Sequence, residues 1–320
     1  MAATQNSRAR RATVRPALQP HNKKRGFFRT LFSHRVSYLF LAPFAILFCM
    51  FTVYPVIMSI INSFTQYSIV APPVFVGLQN YVRMLTEDPV FATSFRNTLF
   101  LAVVTGPAGY LLSLLLAWLI NTLPRAARTV FVVIFYAPTT SSAIYTVWRI
   151  LFDGSEYGMV NGLLKSWGFI QEPINFIYDT RYMMMVAIIC QLWVSMGIGF
   201  LSFVAGLRSI DKQYYEAGAV DGVKNRWQEL WYITLPMMKP QLMFGAVMSI
   251  TSAFSIEEIT RALFGFPSTS YAAHTMGNHI WDYYYYRYDI GYACAIATVL
   301  FLLMVVSKQL VNKLLERVGN

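Results

Sequence analysis

The sequence predicts an all-α integral membrane protein with six transmembrane helices, and three observations carry that reading. The 320 residues are 56% hydrophobic and only 13% charged, with a mean hydropathy of +0.45, whereas a soluble domain carries about 25% charged residues to cover its surface. Six stretches reach the roughly 20 mainly apolar residues that a helix needs to span a bilayer: Ser37–Phe64, Asn97–Leu123, Thr129–Phe152, Tyr182–Leu207, Gln241–Leu263 and Asp289–Val311. The formal net charge of +11 is spread unevenly along the chain. Together these exclude a disordered chain, a disulfide-stapled secreted scaffold and most soluble folds. Cys49, Cys190 and Cys294 all lie inside apolar runs and read as small core residues without metal spacing.

The segment before the first span, residues 1–36, holds Arg8, Arg10, Arg11, Arg15, Lys23, Lys24, Arg25, Arg29 and Arg35 and no acidic residue. The positive-inside rule places it in the cytoplasm. With Pro16 and Pro20 it reads as a disordered tail lying near anionic lipid. The first span is expected to stay as an anchor: the basic leader and the apolar run are too long for a signal peptide, and Tyr54-Pro55 stands where a small-residue cleavage site is needed. The third span carries Pro138, Thr139, Thr140, Ser141 and Ser142, and the fifth carries Glu257, Glu258 and Arg261, so neither is expected to face lipid. An even number of spans returns the C-terminus inside. The six-span domain then covers residues 37–312, the tail 313–320 is cytoplasmic, and the inner connections are 124–128 and 208–240. On this topology the inner side carries +14, leaving −3 for outer and buried positions together. The basicity is an orientation signal, and a nucleic-acid partner is not implied.

The connection 208–240 is longer than a helical bundle needs, and such a length is usually functional or folded. In the run from Ile210 to Gly222, Asp211 is placed as a helix N-cap and Gly222 where a glycine ends a helix. A second short helix is expected over Lys224–Tyr232, with Trp227, Leu230 and Trp231 as an apolar stripe, before Leu235-Pro236 and Pro240 break the chain. Two readings stand on physics alone: a docking knob for a cytoplasmic partner, or an amphipathic hairpin lying on lipid.

The residues of this loop resemble a known family. Glu216-Ala217-Gly218, then Gly222, then Ile233-Thr234-Leu235-Pro236 are similar to the EAA loop of binding-protein-dependent ABC importer permeases, with Gly218 where that family usually has alanine. The resemblance continues through Leu39-Phe40-Leu41-Ala42-Pro43, Tyr54-Pro55, Phe75-Val76-Gly77-Leu78-Gln79-Asn80-Tyr81, Asn97-Thr98, Pro138, Trp148, Phe152, Gly158, Asn161, Trp193 and Gly206-Leu207. These positions look like the sugar and glycerol-phosphate, maltose-type branch, without the large outer domain that some members insert. The resemblance implies a transport subunit with no ATPase site or cofactor of its own, in keeping with the absence of a phosphate-binding loop motif from the sequence. It also implies a second permease, usually different, as partner, and an outer solute-binding protein that delivers a carbohydrate. Two ATP-binding subunits would use ATP and dock at Glu216, Ala217, Gly218, Gly222, Leu235 and Pro236.

Charged groups inside a span are costly and normally face a cavity or a partner. Thr251, Ser252, Ser255, Glu257, Glu258 and Arg261 are therefore candidates for the substrate pathway, with a Glu–Arg pair sealing a subunit interface as the alternative. The aromatic run Trp281–Tyr288 offers Trp281, Tyr283 and Tyr284 for sugar or binding-protein contact, although such residues also gather at any membrane interface. His274 and His279, five apart, do not share a helix face. No nucleophile or metal motif is present, so an enzyme is not expected. An ATP-independent carrier or channel remains the competing function, and the folded inner loop is what separates the two.

Overall fold

The computed structural model describes residues 35–139, 141 and 143–316, so the leader and the last four residues lie outside the described residues. Two units are distinguished, Met1–Val56 and Ile57–Asn320. In the first unit, α1 (Arg35–Phe48) passes into a wide turn at Cys49–Val53, and α2 begins at Tyr54 and runs to Asn62. The wide turn ends two residues before Pro55, which has no N–H to donate and crowds the turn behind it. Phe40, Phe44, Ile46 and Phe51 are all exposed. A helix apolar on every side is suited to a lipid environment.

The second unit opens with a short hairpin, β1 (Thr65–Gln66) and β2 (Val74–Phe75), antiparallel with Thr65 opposite Phe75. Then follow α3 (Gln79–Thr86) and α4 (Pro89–Asn121). Helix α4 starts eight residues before the predicted boundary because Asp88 caps it, accepting from the Phe91 N–H at 3.0 Å, and Pro89 occupies the first turn. The predicted third span is not one continuous helix. It is divided into α5 (Arg125–Tyr136), a tight turn at Ala137–Thr139 and α6 (Ile144–Leu151), and the interruption falls at Pro138. After α7 (Met159–Ser166) come α8 (Thr180–Val194) and α9 (Ile198–Ser209). The loop helices are α10 (Lys212–Val220), α11 (Arg226–Glu229) and α12 (Leu235–Met237). The fifth predicted span is α13 (Lys239–Phe254) and α14 (Glu257–Phe264), interrupted at Ser255–Ile256; α15 (Met276–Trp281) and α16 (Ile290–Glu316) complete the chain. By length and composition, five helical stretches among the described residues suffice to cross a membrane: Val36–Asn62, Pro89–Asn121, Thr180–Ser209, Lys239–Phe264 and Ile290–Leu315.

The centre of this unit is the packing of α4, α9 and α13. Small residues let the backbones approach: Ser249 Oγ donates to the Gly106 carbonyl at 2.8 Å, and a Cβ at Gly199 would lie 3.6 Å from Gly245. Around them Phe200, Phe203, Leu207, Met238 and Leu242 are buried. A Cβ at Gly245 would run into the Phe203 ring, so the buried ring must shift out of its place in the core. We expect Gly245→Ala to lower stability by about 1–3 kcal/mol, read as a lower melting temperature in detergent. Gly199→Ala, which meets only ordinary van der Waals contact, should leave the melting temperature near the wild-type value.

Several residues singled out in the sequence are staples between loops. Asn80 donates to the carbonyls of Ser63 and Thr65, both at 2.9 Å. Asn97 donates to the carbonyls of Tyr271, Ala272 and His274, while Thr98 Oγ1 accepts from the Met276 N–H at 2.8 Å. Asn161 reaches the carbonyls of Asp153, Ser155 and Ile174 and accepts from the Ile174 N–H. A side-chain amide has both donors and an acceptor, so one buried asparagine satisfies several loop backbone groups.

Candidate translocation cavity and docking loop

A cavity of about 540 Å³ opens between α4, the α8–α9 junction, α13 and the start of α6. Its wall is rich in hydroxyls: Tyr110 and Ser113 from α4, Tyr145 from α6, Ser195 beside the junction, and Ser249, Thr251 and Ser252 from α13. The break in the fifth span faces this space. At Ser255 the helix ends, its N–H bonding to the Thr251 and Ser252 carbonyls at 3.2 Å, and the chain restarts with Glu258 in the first turn of α14. An acidic residue there is favoured by the helix dipole. Gln191 holds the end of α13 by donating to the Ser252 carbonyl at 2.8 Å and to Ser252 Oγ at 3.0 Å.

Of the six residues the sequence proposed for a pathway, Thr251, Ser252, Ser255 and Glu258 line this cavity, whereas Glu257 and Arg261 do not. The side chain of Glu257 packs against Gly277, where a Cβ would approach the Glu257 Cβ to 2.7 Å. Arg261 lies over Trp281, 3.9 Å from the ring centroid, and Tyr285 stacks on Trp281 with 4.1 Å between ring centroids. Among the described residues Arg261 makes no ion pair with either glutamate. A cation over an aromatic face offsets part of the cost of burial without an ion pair.

The loop 210–238 folds as two short helical pieces. Asp211 caps α10, accepting from the Gln213 N–H at 3.1 Å. At the other end Gly222, with φ +94°, donates to the Ala219 carbonyl at 3.3 Å and Val223 donates to the Gly218 carbonyl at 2.9 Å. That pair of bonds is a Schellman terminus, which needs the left-handed conformation glycine supplies. Glu216, Ala217 and Ala219 are exposed, and Gly218 is buried. A Cβ on Gly218 would lie 2.6 Å from Ile233 Cδ1, so this glycine serves the fit of α10 onto the wide turn Leu230–Thr234. Tyr215 and Thr234 hydroxyls are 3.0 Å apart and join the same two pieces. The predicted second helix starts at Arg226 and runs past its expected end at Tyr232: α11, the wide turn and α12 form one uninterrupted helical stretch to Met237. Leu235-Pro236 therefore does not break the chain there, because a proline in the first turn after the wide turn is tolerated. Asn225 caps α11 by accepting from the Gln228 N–H, and the wide turn then ends just before Leu235-Pro236, as it does before Pro55. Trp227 and Trp231 are exposed, with Trp227 against Trp118 at 4.9 Å between ring centroids.

At the opposite end of α4, Asp88 is the centre of a buried polar cluster. Its Oδ2 accepts from Tyr292 OH at 2.8 Å and from Tyr283 OH at 3.2 Å, and lies 2.8 Å from His279 Nε2. His279 Nδ1 is in turn 3.3 Å from His274 Nε2. Arg287 donates to Tyr283 OH and pairs with Asp282, while Arg83 pairs with Asp289 at 2.7 Å. Burial pushes the Asp88 carboxyl up, but the hydrogen bonds from His279, the Phe91 N–H and Tyr292 outweigh it and hold the group well below the usual carboxylate range. Burial, reinforced by His279 and Arg287, pushes His274 down to about 4. His274 is thus folded as the neutral ring, so its stabilisation is present above the ordinary histidine value. It is lost as pH falls from there toward about 4, because only the unfolded chain takes up the proton. The melting temperature in detergent should therefore drop between pH 7 and pH 5, and His274→Asn should flatten that slope.

A family model described as the binding-protein-dependent transport system inner membrane component matches residues 98–319. The chain belongs to this family. The permease is 31% identical over 298 residues to the arabinooligosaccharides transport system permease protein AraP of Bacillus subtilis, covering 92% of this chain and 93% of that one. It is 29% identical over 275 residues to the lactose transport system permease protein LacF of Rhizobium radiobacter, covering 84% and 90%. Its fold is similar to that of a bacterial ABC transporter involved in the import of the acidic polysaccharide alginate, with a TM-score of 0.74, 23% identity and coverage of 92% and 99%. It is accordingly a multi-pass membrane component of a transport system.

Sequence reasoning missed the Asp88 cluster in the permease. His274 and His279 do not share a helix face, as their spacing implies, but His274 precedes the Thr275 N-cap of α15, and the turn of the chain there brings the two rings together. Tyr283 points into the cluster and is 4% exposed, while Tyr284 is 43% exposed. The signal that could have revealed the cluster was Asp88 before Pro89, an N-cap pattern placed among apolar sequence.

Proposed function

We propose that this permease is one of two membrane subunits of an ATP-driven importer and lines the path of a carbohydrate delivered by an extracytoplasmic solute-binding protein. The observation that carries the reading is the hydroxyl-lined cavity beside the break between α13 and α14. Hydroxyl side chains both donate and accept, which suits the many hydroxyls of a sugar. The names of the relatives, which refer to arabinooligosaccharides and lactose, support a carbohydrate cargo. In this reading the segment 125–151 is the sixth, broken crossing, and both termini and the loop 208–240 face the cytoplasm.

The exposed face of α10, with Glu216 and Ala217, then receives an ATP-binding subunit, while Gly222, Leu235 and Pro236 set the angle at which the short helices leave the membrane. A rigid knob held in a partner's cleft can pass that partner's closure to the spans. Thr251, Ser252, Ser255 and Glu258 contact the cargo. Trp281 and Tyr284 belong to the outer face, where the binding protein docks. The permease uses no cofactor of its own, and ATP is consumed by its partners. The test is to co-purify the chain with the products of neighbouring genes and measure ATP hydrolysis with and without binding protein and sugar. Stimulation by both together is expected; uptake in the absence of any ATPase would overturn the proposal in favour of a carrier.

A further inference from the structure

We infer that the cavity admits uncharged sugars or polyols and excludes ligands bearing a carboxylate, sulfonate or phosphate; this rests on the cavity being the cargo path. The lining carries one ionisable carboxylate, Glu258, and no lysine, arginine or histidine among the described residues. Tight recognition of an anion uses arginine or lysine donors or a set of inward-facing backbone N–H groups. The nearest guanidinium on the same helix, Arg261, is turned away onto Trp281. The second carboxylate, Glu257, is not part of the lining and lies against Gly277.

A cleft lined by one sign of charge between low-dielectric walls focuses its field on whatever enters. Glu258 is exposed and stands at the break in the fifth span, together with Ser255, so its field falls on the open part of the cavity. An uncharged ligand meets hydroxyls that can match its own. An anionic one gives up water, meets a like charge and finds no lysine, arginine or histidine in the lining, while the N-terminal turn of α14, which would favour an anion, already carries Glu257 and Glu258. The resemblance to an importer of an acidic polysaccharide is one of fold, and does not carry the ligand over.

The charge preference can be read without knowing the cargo. In the complete importer, Cys49, which is exposed, is first replaced by alanine, and Ser255→Cys is introduced, with Thr251→Cys as a second reporter. Each is treated with trimethylammonium-ethyl or sulfonatoethyl methanethiosulfonate, and modification rates are normalised to those of a free thiol in solution. The cationic reagent should react about tenfold faster than the anionic one after normalisation, as expected for a unit charge a few ångströms away in a partly wet cleft. Glu258→Gln should remove most of that difference, and modification should block uptake. Equal rates, or a preference unchanged by Glu258→Gln, would overturn the exclusion of anions while leaving the path intact if uptake is still blocked. Failure of both reporters to react, or modification that leaves uptake unimpaired, would overturn the path and this inference with it.

Discussion

Gly222→Val is expected to abolish coupled uptake while the complex still assembles in the membrane. The residue has φ +94°, and nothing lies within 4 Å of where a Cβ would go, so the penalty comes from the backbone and not from crowding. A β-branched residue held in that conformation costs on the order of 1–2 kcal/mol or more, and the chain escapes by abandoning the bonds from Gly222 and Val223 to the end of α10. The helix then frays from its C-terminal end and Gly218 loses its seat on Ile233. A loss of about 1.4 kcal/mol in the docked geometry is already tenfold in occupancy. Uptake should fall by at least about that factor, with ATP hydrolysis no longer stimulated by binding protein and sugar. Gly222→Asn should be much milder because asparagine visits the left-handed region readily. Wild-type uptake by the valine variant would remove the coupling role from this loop.

Asp88→Leu should be the most destabilising single change at the other end of the molecule. It removes the N-cap of α4 and leaves Tyr292 OH, Tyr283 OH and His279 Nε2 facing an apolar side chain. Breaking a buried charge-assisted cluster by deleting one member typically costs about 3–5 kcal/mol, and the lost cap adds about 1 kcal/mol. The expected readout is failure to yield monodisperse protein in detergent, or a melting temperature lowered well beyond that of Gly245→Ala. Asp88→Asn keeps an acceptor for the Phe91 N–H and should lose less. If Asp88→Leu melted like the wild type, the cluster would be dispensable for holding α15 and α16 against α4.

Much of the membrane architecture was legible because it depends on local pattern. Apolar runs of sufficient length, the Asp211 cap and the Gly222 terminus all express preferences of a residue and its near neighbours, and the structure places helices and turns at those positions. The boundaries that moved did so for local reasons of capping: α4 begins at Pro89 because Asp88 precedes it. The interrupted third and fifth segments were marked by their polar residues, but not the course of the chain through them. Proline and serine show where a helix is under stress, and only the neighbours show how the freed backbone groups are satisfied.

The sequence by itself determined the membrane class, most of the apolar spans and the short helix that ends at Gly222, since hydropathy, caps and positive-φ glycine act within a few residues. The tertiary structure alone decided which polar side chains share a space. It turned Glu258 to the cavity and Arg261 onto Trp281, although the two are three residues apart on one helix. It also joined Asp88 to His279 and Tyr292 across about two hundred residues of chain. In an apolar surrounding a polar group must find a partner wherever packing brings one, and no periodicity in the chain encodes that distance.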